Sequence, residues 1–455
     1  MDDDSSLPLI LSGVIAVTMA ILNHQQLLAF CRHESLQDGS LLFADATEEP
    51  SAKRKRTVYP RPDYHNSAWA IMLREKEDAL ADPTTKDARL FRRRFRMPYP
   101  IFLELVKEIK SAGWKGFTTD ATDLGGRGTR PCIPVELKVL ACLQVLGRGN
   151  FFDDIPQLSF ISEQTIQRVF HEFTQRFATE FFPKHVKFPQ GAHLEEILRE
   201  YKDVGFGGCA GSMDCTHIHY QSAPNSARHS YVGKEGFATV AFEVVCDHKL
   251  RCLGVSKAFP GAMNDKTIVM FDEYVRRIKT ECKDVPFTLL GEDGSEFEER
   301  GLYLIVDGGY HKWRCLQCPV QFPVTQDELA FRKQLESVRK DIECFFGILK
   351  GRFRILKMPL LYRGIHKLDC IFQTCCALHN MLHSYDGLSL LEKDCEWAGA
   401  DGDLDPWVTT PEAESAADNS PDLHLFEDDF KDLQGKLVTN LAEMKKRGTV
   451  GWRRS

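Results

Sequence analysis

The sequence predicts an α/β fold in which a mixed sheet flanked by helices follows an all-helical segment. Three observations carry that expectation. Apolar residues recur at helical spacing from Ala68 to about Lys187, β-branched and apolar runs split by turns take over between Gly205 and Pro323, and long helical patterns return after Asp327. With 455 residues, 43% of them hydrophobic, the chain has enough apolar material for two or three domains.

The first segment, 1–33, contains the apolar run Leu7–Leu22, broken by Pro8, Ser12, Gly13 and Thr18 and preceded by three aspartates. It is too short and interrupted for a membrane span and lacks the basic start of a secretory signal. A docked or partner-binding helix is expected there, with no membrane attachment. Segment 34–67 is polar and holds the run Lys53, Arg54, Lys55, Arg56, which reads equally as a solvated cluster or as a nuclear-import address.

In segment 68–187, Pro100 can start a helix carrying Ile101, Leu103, Leu105, Val106 and Ile109. Further on come Glu136–Leu146, a short piece at Asp153–Leu158, and Ser162–Phe177 with Ser162 as its N-cap. This order is helix-turn-helix-like. The last helix would expose Gln164, Gln167 and Arg168 while Ile166, Val169, Phe170 and Phe173 face inward, as in a helix that enters a DNA groove. Small helical bundles share the pattern.

Segment 205–385 changes character. Cys209–Tyr220, Phe237–Asp247, Arg251–Phe259 and Leu302–Asp307 read as strands, with a helix over Asn264–Lys279, and helices follow at Glu328–Phe353 and Lys367–Ser384. The first three strands can form an antiparallel meander, and the fourth needs the intervening helix to return to the sheet. Three acids stand out. Asp214 lies inside the first strand, Asp307 ends the fourth before Gly308-Gly309, and Glu343 lies on a helix. A carboxylate inside an apolar run is a poor strand former and costly to bury alone, so each needs a partner such as a metal ion. On that helix Ile342, Phe345, Phe346, Leu349, Phe353 and Leu356 form the packing stripe. Glu343, Gly347, Lys350 and Arg354 form a second stripe roughly 120° around. Lys350 and Arg354 are thereby candidate phosphate contacts beside a metal-binding Glu343, against the plainer reading of an exposed Glu–Lys pair.

Weaker signals are read as structural. Cys315 and Cys318 form a lone CxxC without a second pair, and the pair His379 and His383 has Asn380 where a zinc protease has Glu. His217 and His219 have the opposite strand parity from Asp214. No GxxxxGK[ST] or GxGxxG motif occurs, which excludes the familiar ATPase and dehydrogenase sites. Fifteen cysteines, mostly inside apolar runs, suit reduced thiols in a reducing compartment.

The overall charge of −7 hides an asymmetry. Residues 392–432 hold fourteen acids against Lys393 and Lys431, a net −12, which leaves +5 for the rest. Segment 390–435 is expected to be an acidic disordered tail, and 436–455 a basic end with a short helix at Leu437–Lys446.

The series Asp214-Cys-Thr-His-Ile218, Lys234-Glu-Gly-Phe237, Pro260-Gly-Ala-Met-Asn-Asp265, Val306-Asp-Gly-Gly-Tyr310 and Ile342-Glu-Cys-Phe-Phe-Gly-Ile-Leu-Lys-Gly-Arg-Phe353 resembles the nuclease domain of Harbinger-type transposases. Ala377-Leu-His-Asn380 resembles the closing helix of the same family, and the likeness runs in order from about residue 208 to 382. The upstream Phe91-Arg-Arg-Arg-Phe-Arg-Met-Pro98 and three-helix unit are similar to the family less specifically. The family often has His-Asp where this chain has Asn264-Asp265.

The resemblance implies an RNase H-like fold with Asp214, Asp307 and Glu343 as a DDE triad. It also implies two Mg²⁺ or Mn²⁺ ions for phosphodiester cleavage and strand transfer, a nuclear location, and DNA as partner. A separate DNA-binding protein and a homo-oligomer are further partners it suggests. A catalytically silent DNA- or chromatin-binding relative is the alternative.

Overall fold

The computed structural model describes residues 63–118, 133–386, 388 and 427–451. The apolar helix expected in 1–33, the Lys53–Arg56 run and most of the acidic tail lie outside the described residues. Among the described residues, no helix is long and apolar enough to cross a membrane.

After helices over Ala68–Glu75 and Glu77–Ala81 the helical segment continues with α1 (Lys86–Phe95), opened by Thr85, whose hydroxyl accepts the Ala88 N–H, and closed by Arg96 in the left-handed region at φ 56°. Next comes α2 (Tyr99–Ser111), with Pro100 in its first turn, where a missing N–H costs nothing. Then follow α3 (Val135–Arg148), buried on nearly every side, and α4 (Glu163–Arg176). The expected piece at 153–158 is two single turns, Phe152–Asp154 and Pro156–Ser159. Ser162 occupies the N-cap of α4, but its hydroxyl pairs with Thr165 Oγ1 at 2.9 Å rather than with a backbone N–H. The cap is positional only.

After α5 (Gly191–Asp203) the strands begin. They are β1 (Cys209–His219), β2 (Thr239–Cys246), β3 (Cys252–Val255), β4 (Phe259–Pro260), β5 (Pro286–Leu290), β6 (Glu296–Arg300), β7 (Tyr303–Ile305) and β8 (Leu316–Gln317). The main sheet runs β3-β2-β1-β7-β8, with β4 also paired to β2. The meander β1-β2-β3 is antiparallel as expected, and β7 returns parallel to β1. The sheet is therefore mixed.

Two expectations need correction. The third strand is interrupted between Val255 and Phe259, and the single helix over 264–279 is two: Asp265–Val269, then α6 (Glu273–Glu281). The break comes from Asp272, whose carboxylate accepts the Val275 N–H at 2.8 Å and restarts the helix as an N-cap. The hairpin β5-β6 was not expected, because β6 is Glu-Phe-Glu-Glu-Arg and stands on the surface.

Helices cover both faces of the main sheet. Val275 and Ile278 of α6 pack with Met213, Val245 and Leu253 on one face, and the same continuous apolar cluster takes in Ile197 and Tyr201 from α5 and Phe331, Leu335 and Val338 from α7 (Gln326–Arg352). On the other face Phe242 stacks on Phe372 of α8 (Ile365–His383), ring centroids 4.1 Å apart. Thr374 of α8 donates to the carbonyl of Thr174 in α4, so the helical segment packs directly on the sheet's covering helix.

The last helix, α9, spans Glu427–Lys446 rather than starting at Leu437. Residues 427–435 look acidic in composition, yet Phe430, Leu433, Leu437 and Leu441 recur at helical spacing and are buried in the main core. Burying such side chains is worth roughly 1.5–3 kcal/mol each, enough to order a helix with an acidic outer face.

Candidate active site

Asp214 sits mid-way along β1, paired with Val244, on the sheet face that also carries Phe242 and is covered by α7 and α8. Its side chain is only 14% exposed. One carboxylate oxygen accepts the Cys215 N–H at 2.8 Å, and the other accepts from Arg339 of α7 at 3.2 Å. Asp307 lies two residues beyond β7, the neighbour of β1, and its Oδ1 accepts the Gly309 N–H at 2.8 Å. Glu343 is one turn along α7 from Arg339 and accepts from it at 2.6 Å.

Arg339 is the residue that sequence reasoning missed. Its guanidinium bridges Asp214 and Glu343, and its electrostatics register Asp307 as well. The signal was present: Arg339 and Glu343 are four apart on one helix, the spacing at which opposite charges meet. Burial works against the Arg339 charge, yet Asp214, Glu343 and Asp307 hold its pKa above the ordinary arginine value.

Burial, and then the charge of Asp307, push the Asp214 carboxyl up to about 8, while Arg339 pulls it down and Asp265 adds to the rise. Two elements thus bring Asp214 and Glu343 to one guanidinium, and a third sets Asp307 where its charge acts on both Asp214 and Arg339. Their hard oxygens are the donor set that Mg²⁺ or Mn²⁺ prefers, and the mutual repulsion of Asp214 and Asp307 is what a cation would relieve. Arg339 partly meets that need already: among the described residues, no three His, Cys, Asp or Glu side chains stand as a cluster ready to hold a metal ion.

Further acids lie behind the site. Cys215, paired with Glu243 across β1-β2, faces the other side of the sheet and receives the Tyr310 hydroxyl at 3.7 Å. Glu243 is fully buried, and burial and the nearby Asp272 push its carboxyl well above the usual range, so it is held protonated. Asn264 caps its short helix through the Thr267 N–H, and the adjacent Asp265 adds negative potential at Asp214, Cys215 and Glu243.

The expected DNA contacts divide. Gln164, Gln167 and Arg168 are exposed on α4, over the buried Ile166, Val169 and Phe170. Lys350 is half-buried on α7 and donates to the main-chain carbonyl of His217 at 3.4 Å. Arg354 does not continue the Glu343 stripe. The helix ends at Arg352, the chain leaves helical geometry at Phe353 (φ −109°, ψ 85°), and Arg354 lies exposed in the 3-10 turn Arg354–Lys357. Gly351 weakens the last turn, and burial of Phe353 and Leu356 draws the chain inward.

His379 and His383 are buried and their Nε2 atoms bond the carbonyls of Leu250 and Lys249, both at 2.8 Å. Burial lowers both imidazole pKa values, that of His383 to about 4. They are neutral packing groups. His217 Nδ1 bonds Thr239 Oγ1 at 3.0 Å, away from the acids. Cys318 receives Lys312 Nζ at 2.8 Å, and Cys315 is buried.

Residues 183–387 match the family model described as plant transposon protein. The chain is 25% identical over 254 residues to the Arabidopsis thaliana protein antagonist of like heterochromatin protein 1, an alignment covering 55% of this chain and 63% of that relative, less than two thirds of its length. It is 22% identical over 300 residues to an Arabidopsis thaliana ALP1-like protein, covering 65% of this chain and 71% of the relative. Against HARBI1 of Homo sapiens, named as a candidate nuclease, it is 26% identical over 271 residues, covering 57% and 71% of the two chains. No solved structure matches. Residues 183–387 are thus similar to the plant transposon protein family, and the chain is homologous to HARBI1 and to antagonist of like heterochromatin protein 1.

Proposed function

We propose that this chain is a divalent-metal-dependent DNA endonuclease of the Harbinger transposase type, with an RNase H-like catalytic fold and a nuclear site of action. The observation that carries the reading is the convergence of Asp214 and Glu343 on Arg339, with Asp307 close enough to raise the Asp214 pKa. Asp214, Asp307 and Glu343 would hold Mg²⁺ or Mn²⁺. Bound there, the metal would supply Lewis-acid activation of a water or 3′-hydroxyl and stabilisation of the leaving oxygen.

The chain's own residues do the rest. The Gly309 N–H fixes the rotamer of Asp307, and the Cys215 N–H fixes that of Asp214. Asp214 must release its proton to become a ligand, so binding is favoured as pH rises toward 8. Arg339 must give up one or both carboxylates, and it is then placed to pair with a phosphate oxygen of the DNA. Lys350 and Arg354, with Gln164, Gln167 and Arg168, are the proposed DNA contacts.

A second reading, a DNA- or chromatin-binding protein without cleavage, is favoured by one observation: Arg339 already supplies a cation to Asp214 and Glu343. Cleavage of duplex DNA bearing cognate terminal repeats, with Mg²⁺ or Mn²⁺, separates the two. The nuclease reading expects activity in the wild type and a nearly equal loss in Asp307→Ala, Glu343→Ala and the double variant, because residues acting as one unit fail together. Activity persisting in both single variants eliminates the site, and an inert wild type leaves the binding reading.

A further inference from the structure

Four arginines from three separate elements meet on one surface. Arg93 and Arg94 stand in the last turn of α1, Arg148 ends α3, and Arg354 opens the turn after α7; all four are exposed. Among the described residues none of them has a carboxylate partner.

Their proximity is built into the packing. Arg96, in its left-handed conformation, turns its side chain across the last turn of α3, where Nε donates to the Gly147 carbonyl at 3.4 Å. A Cβ on Gly147 would run into Arg96 Cγ, so glycine is what lets the ends of α1 and α3 meet. Gly149, with φ 67°, closes α3, and a Cβ there would stand 3.6 Å from the Arg354 carbonyl carbon, which brings the turn after α7 against the same corner. A cation at each helix C-terminus is favourable alone, by roughly 0.3–1 kcal/mol. Four together are not. Partial burial, followed by the charges of Arg354, Arg93 and Arg94, lowers the Arg148 pKa. A surface that crowds like charges without acids is relieved by a polyanion.

We infer that Arg93, Arg94, Arg148 and Arg354 form a phosphate-backbone site for nucleic acid, continuous with the carboxylate site along α7. The inference rests on the DNA reading above and extends it, naming the helical segment's corner, rather than the exposed face of α4 alone, as the place where flanking DNA is held. From Glu343 to Lys350 the helix advances about 10 Å, and Arg354 lies beyond, so a strand cleaved at the acids would run over this corner. Guanidinium forks suit phosphate oxygens and carry no base information, so the site is predicted to hold DNA of any sequence.

The test is fluorescence anisotropy of the full chain with a labelled duplex of unrelated sequence, in EDTA, across a salt series. Each phosphate contact contributes about 0.9 to the slope of log K against log salt, so the quadruple Arg→Gln variant should lower the slope by about 3 to 4. Single variants should lose roughly three- to eight-fold in affinity at 0.1 M salt. The quadruple Arg→Lys variant should recover most of the slope, which separates charge from folding. An unchanged slope in the Gln variant overturns the inference, as does competition by polyglutamate equal to that by DNA, which would assign the corner to an acidic protein.

Patch-dependent binding by a wild type that never cleaves would sink the nuclease reading and leave this one standing; cleavage without patch dependence would do the reverse.

Discussion

Replacing Asp214 by Asn removes a buried charge while keeping the side chain's shape, and the consequence depends on pH. An unfolded Asp titrates near 3.9, whereas burial and Asp307 hold Asp214 at about 8 in the folded chain. The folded state binds the proton more tightly, so the stability linked to it is fully present below pH ~4 and is lost as pH rises through about 8. Between those values the wild type should lose on the order of 5 kcal/mol at this position, from about 1.4 kcal/mol per pH unit. The Asn variant has no proton to lose. In EDTA, urea midpoints should coincide near pH 4 and diverge with rising pH, the variant being more stable by up to about 5 kcal/mol at pH 8.5. Other buried acids, including Asp247 at about 7, titrate in both proteins, so the difference between the two curves isolates Asp214. Parallel curves from pH 4.5 to 8.5 would refute the assignment of a buried, repelled carboxyl.

Three further outcomes are expected. Arg339→Met leaves Asp214 and Glu343 without their counter-charge and should cost about 2–3 kcal/mol at pH 8 in EDTA, read as a urea midpoint, because Arg339 is only 20% exposed. The same variant should show a larger rise in melting temperature with Mn²⁺ than the wild type, since the guanidinium no longer competes; no difference would mean that Arg339 and metal do not share the site. Asn440→Ala strands the buried Leu290 N–H, which now meets Asn440 Oδ1 at 2.9 Å, and removes the donor to the Gly205 carbonyl. A loss of about 2–4 kcal/mol in the urea midpoint is expected, and an unchanged midpoint would show that α9 contributes little to the core.

Much of the arrangement could be read from residue order because periodicity reports burial. The apolar runs placed Asp214 within β1 and Asp307 just past the end of the neighbouring β7, and the stripe through Ile342, Phe345 and Leu349 put Glu343 on the helix whose Arg339 reaches Asp214. Where tertiary packing overrides local pattern, the reading failed. Arg354 lies at a spacing that continues the Glu343 stripe, but the pull of Phe353 and Leu356 into the core ends the helix first. The hairpin β5-β6 was invisible because Glu296, Glu298 and Arg300 face solvent at a sheet edge, where charge reads as loop. Arg339 shows in residue order only as the i, i+4 partner of Glu343; its reach to Asp214 is a tertiary contact that periodicity does not report.

The late position of α9 has a consequence for biosynthesis. Everything through α8 is made before α9, yet Phe287, Leu289, Phe331 and Leu335 share their core with Leu433, Leu437 and Leu441. Until those leucines emerge from the ribosome, the sheet layer carries an uncovered oily seam, the kind of surface that chaperones bind and aggregates grow from. A fragment cut at the boundary of the matched transposon segment would keep that seam for its whole life.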